Sequence, residues 1–95
     1  MHDDVQAALV RTKAMIERGW CQGRNEDGDR RCLAGALAHA TTSVSGPRQS
    51  WQVWSEALTA LKAHLPKGCE DLVVFNDHPD ITQADVLALI DKALA

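Results

Sequence analysis

Gly19-Trp20-Cys21-Gln22-Gly23, followed across a charged loop by Cys32-Leu33-Ala34-Gly35-Ala36-Leu37, joins the end of one helix to the start of the next. Upstream, Val5, Ala8, Leu9, Thr12, Met15 and Ile16 recur at helical spacing and predict a helix over 4–18, capped by Asp3 or Asp4. Gly19 stands where a helix takes a left-handed C-terminal residue, and Trp20 is expected to fold back onto the helix it leaves. Residues 21–30 read as a polar loop with a turn at Asp27-Gly28. The next helix, from Arg31 or Cys32 to about Ala40, is rich in small residues. Gly35 costs roughly 1 kcal/mol there against alanine, so it marks the close approach of another backbone.

Outward from this corner, Thr41 to Gly46 is a linker of small and hydroxyl residues. A third helix is expected from Pro47 to about Leu65, with Trp51, Trp54, Leu58, Leu61 and Leu65 as its apolar stripe. Leu72-Val73-Val74-Phe75 is short and apolar, and without a second strand to pair with it is a short extended segment or a helical turn. Asn76 to Asp80 is a loop by composition, and Thr82-x-x-Asp85 is a capping box opening a last helix over 83–94. The fold class expected is mainly α: one compact domain over 1–95, with about four helices and one short extended segment near 72–75.

A chain of 95 residues has room for one core, and 45% hydrophobic with 24% charged residues is the mix of a folded domain. An odd count of three cysteines fits a reducing, cytoplasmic setting. The acidic start Met1-His2-Asp3-Asp4 is unlike a signal peptide, and no apolar run is long enough to span a membrane. Net charge is −3 and unevenly spread: Glu70, Asp71, Asp77, Asp80, Asp85 and Asp91 follow Cys69 with no lysine or arginine among them. The basic stripe of a direct nucleic-acid binder is missing.

The order of these pieces resembles a family of small bacterial and phage domains with no assigned activity. Its pattern is a Gly-Trp-x-Gln-Gly corner, a Cys-Leu-x-Gly-Ala-Leu helix start, an aromatic-Asn-Asp loop and a Thr-x-x-acid-Val-Leu terminal helix. Here those are residues 19–23, 32–37, Phe75-Asn76-Asp77 and Thr82 to Leu87. Phe75 stands where tryptophan is usual. The resemblance implies a compact helical domain and brings no activity with it.

Cys32 is the sharpest candidate for chemistry: a thiol at a helix N-terminus beside Arg30 and Arg31 is placed for thiolate formation. Gln22-Gly23 resembles the placement of an oxyanion-hole glutamine in papain-like enzymes. His39, His64 or His78 would serve as base, with Asn76 or Asp77 orienting it. Against this, a free cysteine at a tight helix crossing is usually a small buried residue, and that reading is preferred. Asn76 is likewise read as a loop-closing residue that satisfies the Gly19–Gly23 corner when buried. Cys21, Cys32, Cys69, His39 and His78 match no zinc spacing, and Asn25 to Asp29 lacks a calcium-loop register, so no metal and no cofactor is expected.

Trp51 and Trp54 are expected in the core of a chain with three tryptophans, one phenylalanine and no tyrosine. A partly exposed Trp51, with Arg48 and Gln52 nearby, would make a contact patch. Glu70, Asp71, Asp77 and Asp80 would present a negative face to a basic protein partner.

The function expected is a small cytoplasmic binding module acting through protein–protein contact, monomeric or weakly dimeric. One form of it is a phage or mobile-element inhibitor of a host nucleic-acid-binding complex, anti-CRISPR-like in kind. The alternatives are a Cys32-dependent hydrolase or transferase, and a helical protein that self-associates through the Trp51–Leu65 helix.

Overall fold

In the computed structural model, which describes residues 1–43 and 46–95, the chain is mainly helical. Its elements are α1 (Asp3–Arg18), a hairpin of β1 (Glu26–Asp27) and β2 (Arg30–Arg31), then α2 (Leu33–Ser43), α3 (Ser50–Lys62), α4 (Leu72–Asp77) and α5 (Gln83–Leu94). Among the described residues no helix is long and apolar enough to cross a membrane.

The helix α1 buries Val5, Ala8, Leu9, Thr12 and Ile16, and packs against α2, α3 and α5. Its N-cap is His2, with Asp3 and Asp4 in the first turn, where carboxylates favour the positive end of the helix dipole; neither is the cap. The core beneath it joins Leu33 and Leu37 of α2, Val53 and Leu61 of α3, Leu72 and Phe75 of α4, and Val86 and Ile90 of α5.

Gly19 is not left-handed. Its φ of 174° is ordinary extended backbone. Glycine is needed there because a Cβ would lie 2.9 Å from Arg30 Cγ and 3.2 Å from Arg30 Cα. The chain runs on beside β2, with Arg31 N–H donating to Gly19 O and Cys21 N–H to Arg31 O. The expected loop over 21–30 therefore holds a tight hairpin in which Asp27 pairs with Arg30. Gly28, at φ 63°, supplies the positive φ that such a two-residue turn takes at its first central position.

The helix α2 runs past Ala40 to Ser43, because the Thr41, Thr42 and Ser43 hydroxyls each donate back to the carbonyl three residues before. Of the rest of the expected linker, Val44 and Ser45 lie outside the described residues.

The third helix begins at Ser50, not Pro47. Arg48 is drawn off to Asp4, donating from Nε at 2.8 Å and Nη2 at 2.7 Å, and also pairs with Glu56. The Gln52 side chain accepts from the Gln49 N–H at the true start. Beyond Lys62 the chain closes through short bonds, His64 N–H to Leu61 O and Leu65 N–H to Lys62 O. The stripe is also rotated from expectation: α3 buries Val53, Ala57 and Leu61, leaving Trp51 67% and Trp54 41% exposed. Ala57 lets α3 lie close to the core, where a tryptophan face would hold it away.

Residues 72–75 are not an extended segment; they open α4, the fifth helix where about four were expected. The Asp71 carboxylate accepts from Val73 N–H (2.7 Å) and Val74 N–H (3.4 Å), capping the turn that the β-branched run alone would not favour. At α5 the Thr82–Asp85 capping box is formed: Asp85 Oδ2 accepts from Thr82 N–H, and Thr82 Oγ1 accepts from Asp85 N–H.

Candidate functional site

The corner at residues 19–23 leaves polar groups buried where water does not reach them, and one residue of α4 meets most of them. Asn76 is fully buried. Its Oδ1 accepts from Trp20 Nε1–H at 2.7 Å and from Leu33 N–H at 3.0 Å. Its Nδ2 donates to Cys21 O and to Asp77 Oδ1, both at 3.0 Å. The amide orientation is fixed by its neighbours, since an indole N–H and a first-turn helix N–H both demand an acceptor. Gln22 Nε2 donates to the carbonyls of Asn76 (2.9 Å) and His78 (3.0 Å), and Gly23 N–H donates to Asp77 Oδ1 (2.9 Å). The Gly-Trp-x-Gln-Gly and Asn-Asp segments are thus two halves of one hydrogen-bonded joint.

Cys32 belongs to the same joint. It is buried, and it stands in the cap position of α2, where its Sγ accepts from Gly35 N–H at 3.2 Å. Its own N–H donates to Asn25 O, and its Sγ lies 3.8 Å from Asn25 Oδ1. Gly35 is required by the same approach: a Cβ there would lie well under 3.0 Å from Asn25 O and 3.1 Å from its carbon. The close backbone expected at Gly35 is therefore this loop and not a second helix. Cys21 is buried too, and burial first, then the nearby Cys32, pushes its thiol pKa up.

The histidines are held elsewhere. His39 lines a small hollow with Met15, Arg18, Asp29 and Arg31, while His78 is exposed, and its Nδ1 accepts from Asp80 N–H. Neither bonds to Cys32 Sγ among the described residues. Cys69 is half-buried, with its Sγ 3.7 Å from Asp71 O. No group of three or more His, Cys, Asp or Glu is gathered for a metal among the described residues.

The residues expected to meet a partner divide into two kinds. Arg48 is spent on Asp4 and Glu56, Asp71 caps α4, and Asp77 holds Gly23 and Asn76. Trp51, Glu70 and Asp80 are exposed. Trp51, Trp54 and Leu58 share one face of α3, three and four residues apart. Beside them Leu37, Trp54, Leu58, Leu72 and Val73 line a groove of about 200 Å³, with Lys62 and Asp71 as its charged lining. Sequence reading missed this groove because it placed Trp54 inside. The competing period Val53, Ala57, Leu61, at four-residue steps, was the signal available.

The sequence profile of the family of unknown function DUF6197 matches residues 1–95, and the chain belongs to that family. No curated protein and no solved structure matches it.

Proposed function

We propose that this DUF6197 member is a protein-binding module whose contact face is the Trp51, Trp54 and Leu58 face of α3 together with Val73 of α4. The observation that carries the reading is exposure: Trp51 is 67%, Trp54 41% and Val73 47% accessible, on two helices that border one groove. Two of the chain's three tryptophans on one open face are apolar surface left in water, and tryptophan gains more than most residues when a partner covers it. The groove beside Trp54 has the size and apolar floor to take an aliphatic side chain.

The narrower form, an inhibitor that covers the basic site of a nucleic-acid-binding complex, draws on Glu70 and Asp71 beside this face. The other acids divide: Asp80 is exposed, while Asp77 serves the corner, Asp85 caps α5 and Asp91 pairs with Lys13 at 2.7 Å. Contact through apolar area is the better supported form.

A photo-crosslinking side chain at exposed Ser55, compared with one at exposed Val10 on α1, tests the face in the cells that make the protein. An adduct of defined mass from position 55 only, lost in Trp54→Glu, is expected. An adduct of twice the chain mass would identify a second copy as the partner. Equal labelling from both positions, or labelling that Trp54→Glu leaves intact, would contradict the proposal.

A further inference from the structure

The chain pairs several of its cations internally. Lys13 meets Asp91, Arg30 meets Asp27, Arg31 meets Glu26, and Arg48 meets Asp4 and Glu56. Arg18 and His39 have no carboxylate or hydrogen-bond partner among the described residues. They nevertheless line one hollow of about 100 Å³ with Arg31, Met15 and Asp29. Three different elements deliver them: Arg18 from the last turn of α1, Arg31 from β2 and His39 from α2. Two guanidinium groups and an imidazole thus border one hollow, opposed by Asp29 and with Arg31 alone already paired, to Glu26.

We propose that the Arg18, Arg31 and His39 hollow is a binding site for one small tetrahedral oxyanion, a phosphate group. The hollow, about 100 Å³, has room for one such group. Guanidinium forks match the paired oxygens of phosphate, and an imidazole N–H adds a third donor. Arg31 is already held by Glu26 Oε2 at 3.1 Å, which pre-orders it, while Arg18 supplies the uncommitted charge. Asp29 is the acid on the lining and opposes binding. The site holds a single phosphate and has no basic stripe leading from it, so it does not make the protein a nucleic-acid binder.

The site is separate from the proposed contact face. At 100° per residue His39 lies about 140° around α2 from Ala34, which borders the Trp54 groove. Trp54→Glu is therefore expected to leave phosphate binding unchanged, and failure of either proposal would leave the other standing.

The test is a titration of the full chain with sodium phosphate at fixed ionic strength, following the His39 ring and Arg18 side-chain resonances, with sodium chloride as reference. Saturable shifts with phosphate alone are expected. Arg18→Ala should weaken binding about tenfold or more, the loss of a charge-assisted contact. Asp29→Asn should tighten it, and Lys67→Ala, which removes the same charge elsewhere, should change nothing. Arg18 and His39 are exposed, so Arg18→Ala and His39→Ala are expected to fold, which their circular dichroism checks. Glycerol phosphate binding more tightly than inorganic phosphate would make the ligand a phosphorylated molecule, and equal or weaker binding would make it the free ion. Shifts that never saturate, that chloride reproduces, or that Arg18→Ala and Lys67→Ala affect alike would overturn the site.

Discussion

Asn76 uses all four hydrogen-bonding positions of its amide: two on Trp20 and Cys21 of the corner, one on Leu33 of α2 and one on Asp77 of its own helix. Asn76→Ala would strand the Leu33 N–H and the Cys21 carbonyl in the interior and unpair the half-buried Trp20 indole N–H. At about 1–3 kcal/mol for each unsatisfied group, partly relieved by water entry, a loss of about 3 kcal/mol in urea unfolding is expected. Asn76→Asp keeps both acceptor contacts but cannot donate to Cys21 O and sets a carboxylate against Asp77. Its destabilisation should exceed that of alanine at neutral pH and shrink as pH falls toward the carboxylate range. That a buried Asn76 satisfies the corner was readable in the sequence, but it does so from the last turn of α4 and not from the loop expected over 76–80. The role of Gly19 was not. A glycine after a helix suggests a left-handed cap, and only the arrival of Arg30 shows that space was the need.

At the scale of elements, α1 and α5 follow their apolar spacing, and the Thr82–Asp85 box forms as written. Besides the hairpin in the expected loop over 21–30, two helices escaped the pattern. The valine-rich run of α4 reads as an extended segment or a helical turn until Asp71 is seen to cap it, so Asp71→Ala should cost about 1 kcal/mol and loosen α4 first, read by amide exchange at Phe75. In α3 the tryptophans face outward while Val53, Ala57 and Leu61 face inward, a rotation of the expected stripe that keeps Leu61 inside. Gly35 offers a sharper test. Alanine there gains roughly 1 kcal/mol of helix propensity yet drives a methyl into the Asn25 backbone. Net destabilisation of about 1–3 kcal/mol is expected in urea unfolding; a more stable variant would show that the loop does not rest on α2.

Across the whole molecule, α1 is fastened to the start of α3 by Arg48 and to α5 by Lys13 and Asp91. The Arg48 guanidinium, through its hydrogen bonds first, holds the Asp4 and Glu56 carboxyls below the usual carboxylate range. Depressed folded values mean that this tether contributes fully above the unfolded carboxylate range, about pH 4–5, and is lost as pH falls through the folded values. Acid unfolding should therefore begin at higher pH in Arg48→Met than in the parent chain. Raised by its bond to Asp91, the Lys13 ammonium acts in the opposite window, its contribution present below its unfolded value and lost as pH rises through the folded one. These long-range pairs were invisible in the sequence, because nothing local links Asp4 to Arg48 or Lys13 to Asp91.

The central claim is that the corner, thiol included, is architecture, while the α3 and α4 face is turned to a partner. Site-resolved alkylation across a denaturant series tests it most directly, because Cys21 and Cys32 are buried and Cys69 is half-buried. In native protein at neutral pH, modification should fall on Cys69, with Cys21 and Cys32 reacting together only as the chain unfolds. Cys32 modified as fast as Cys69 in the folded protein would contradict the account.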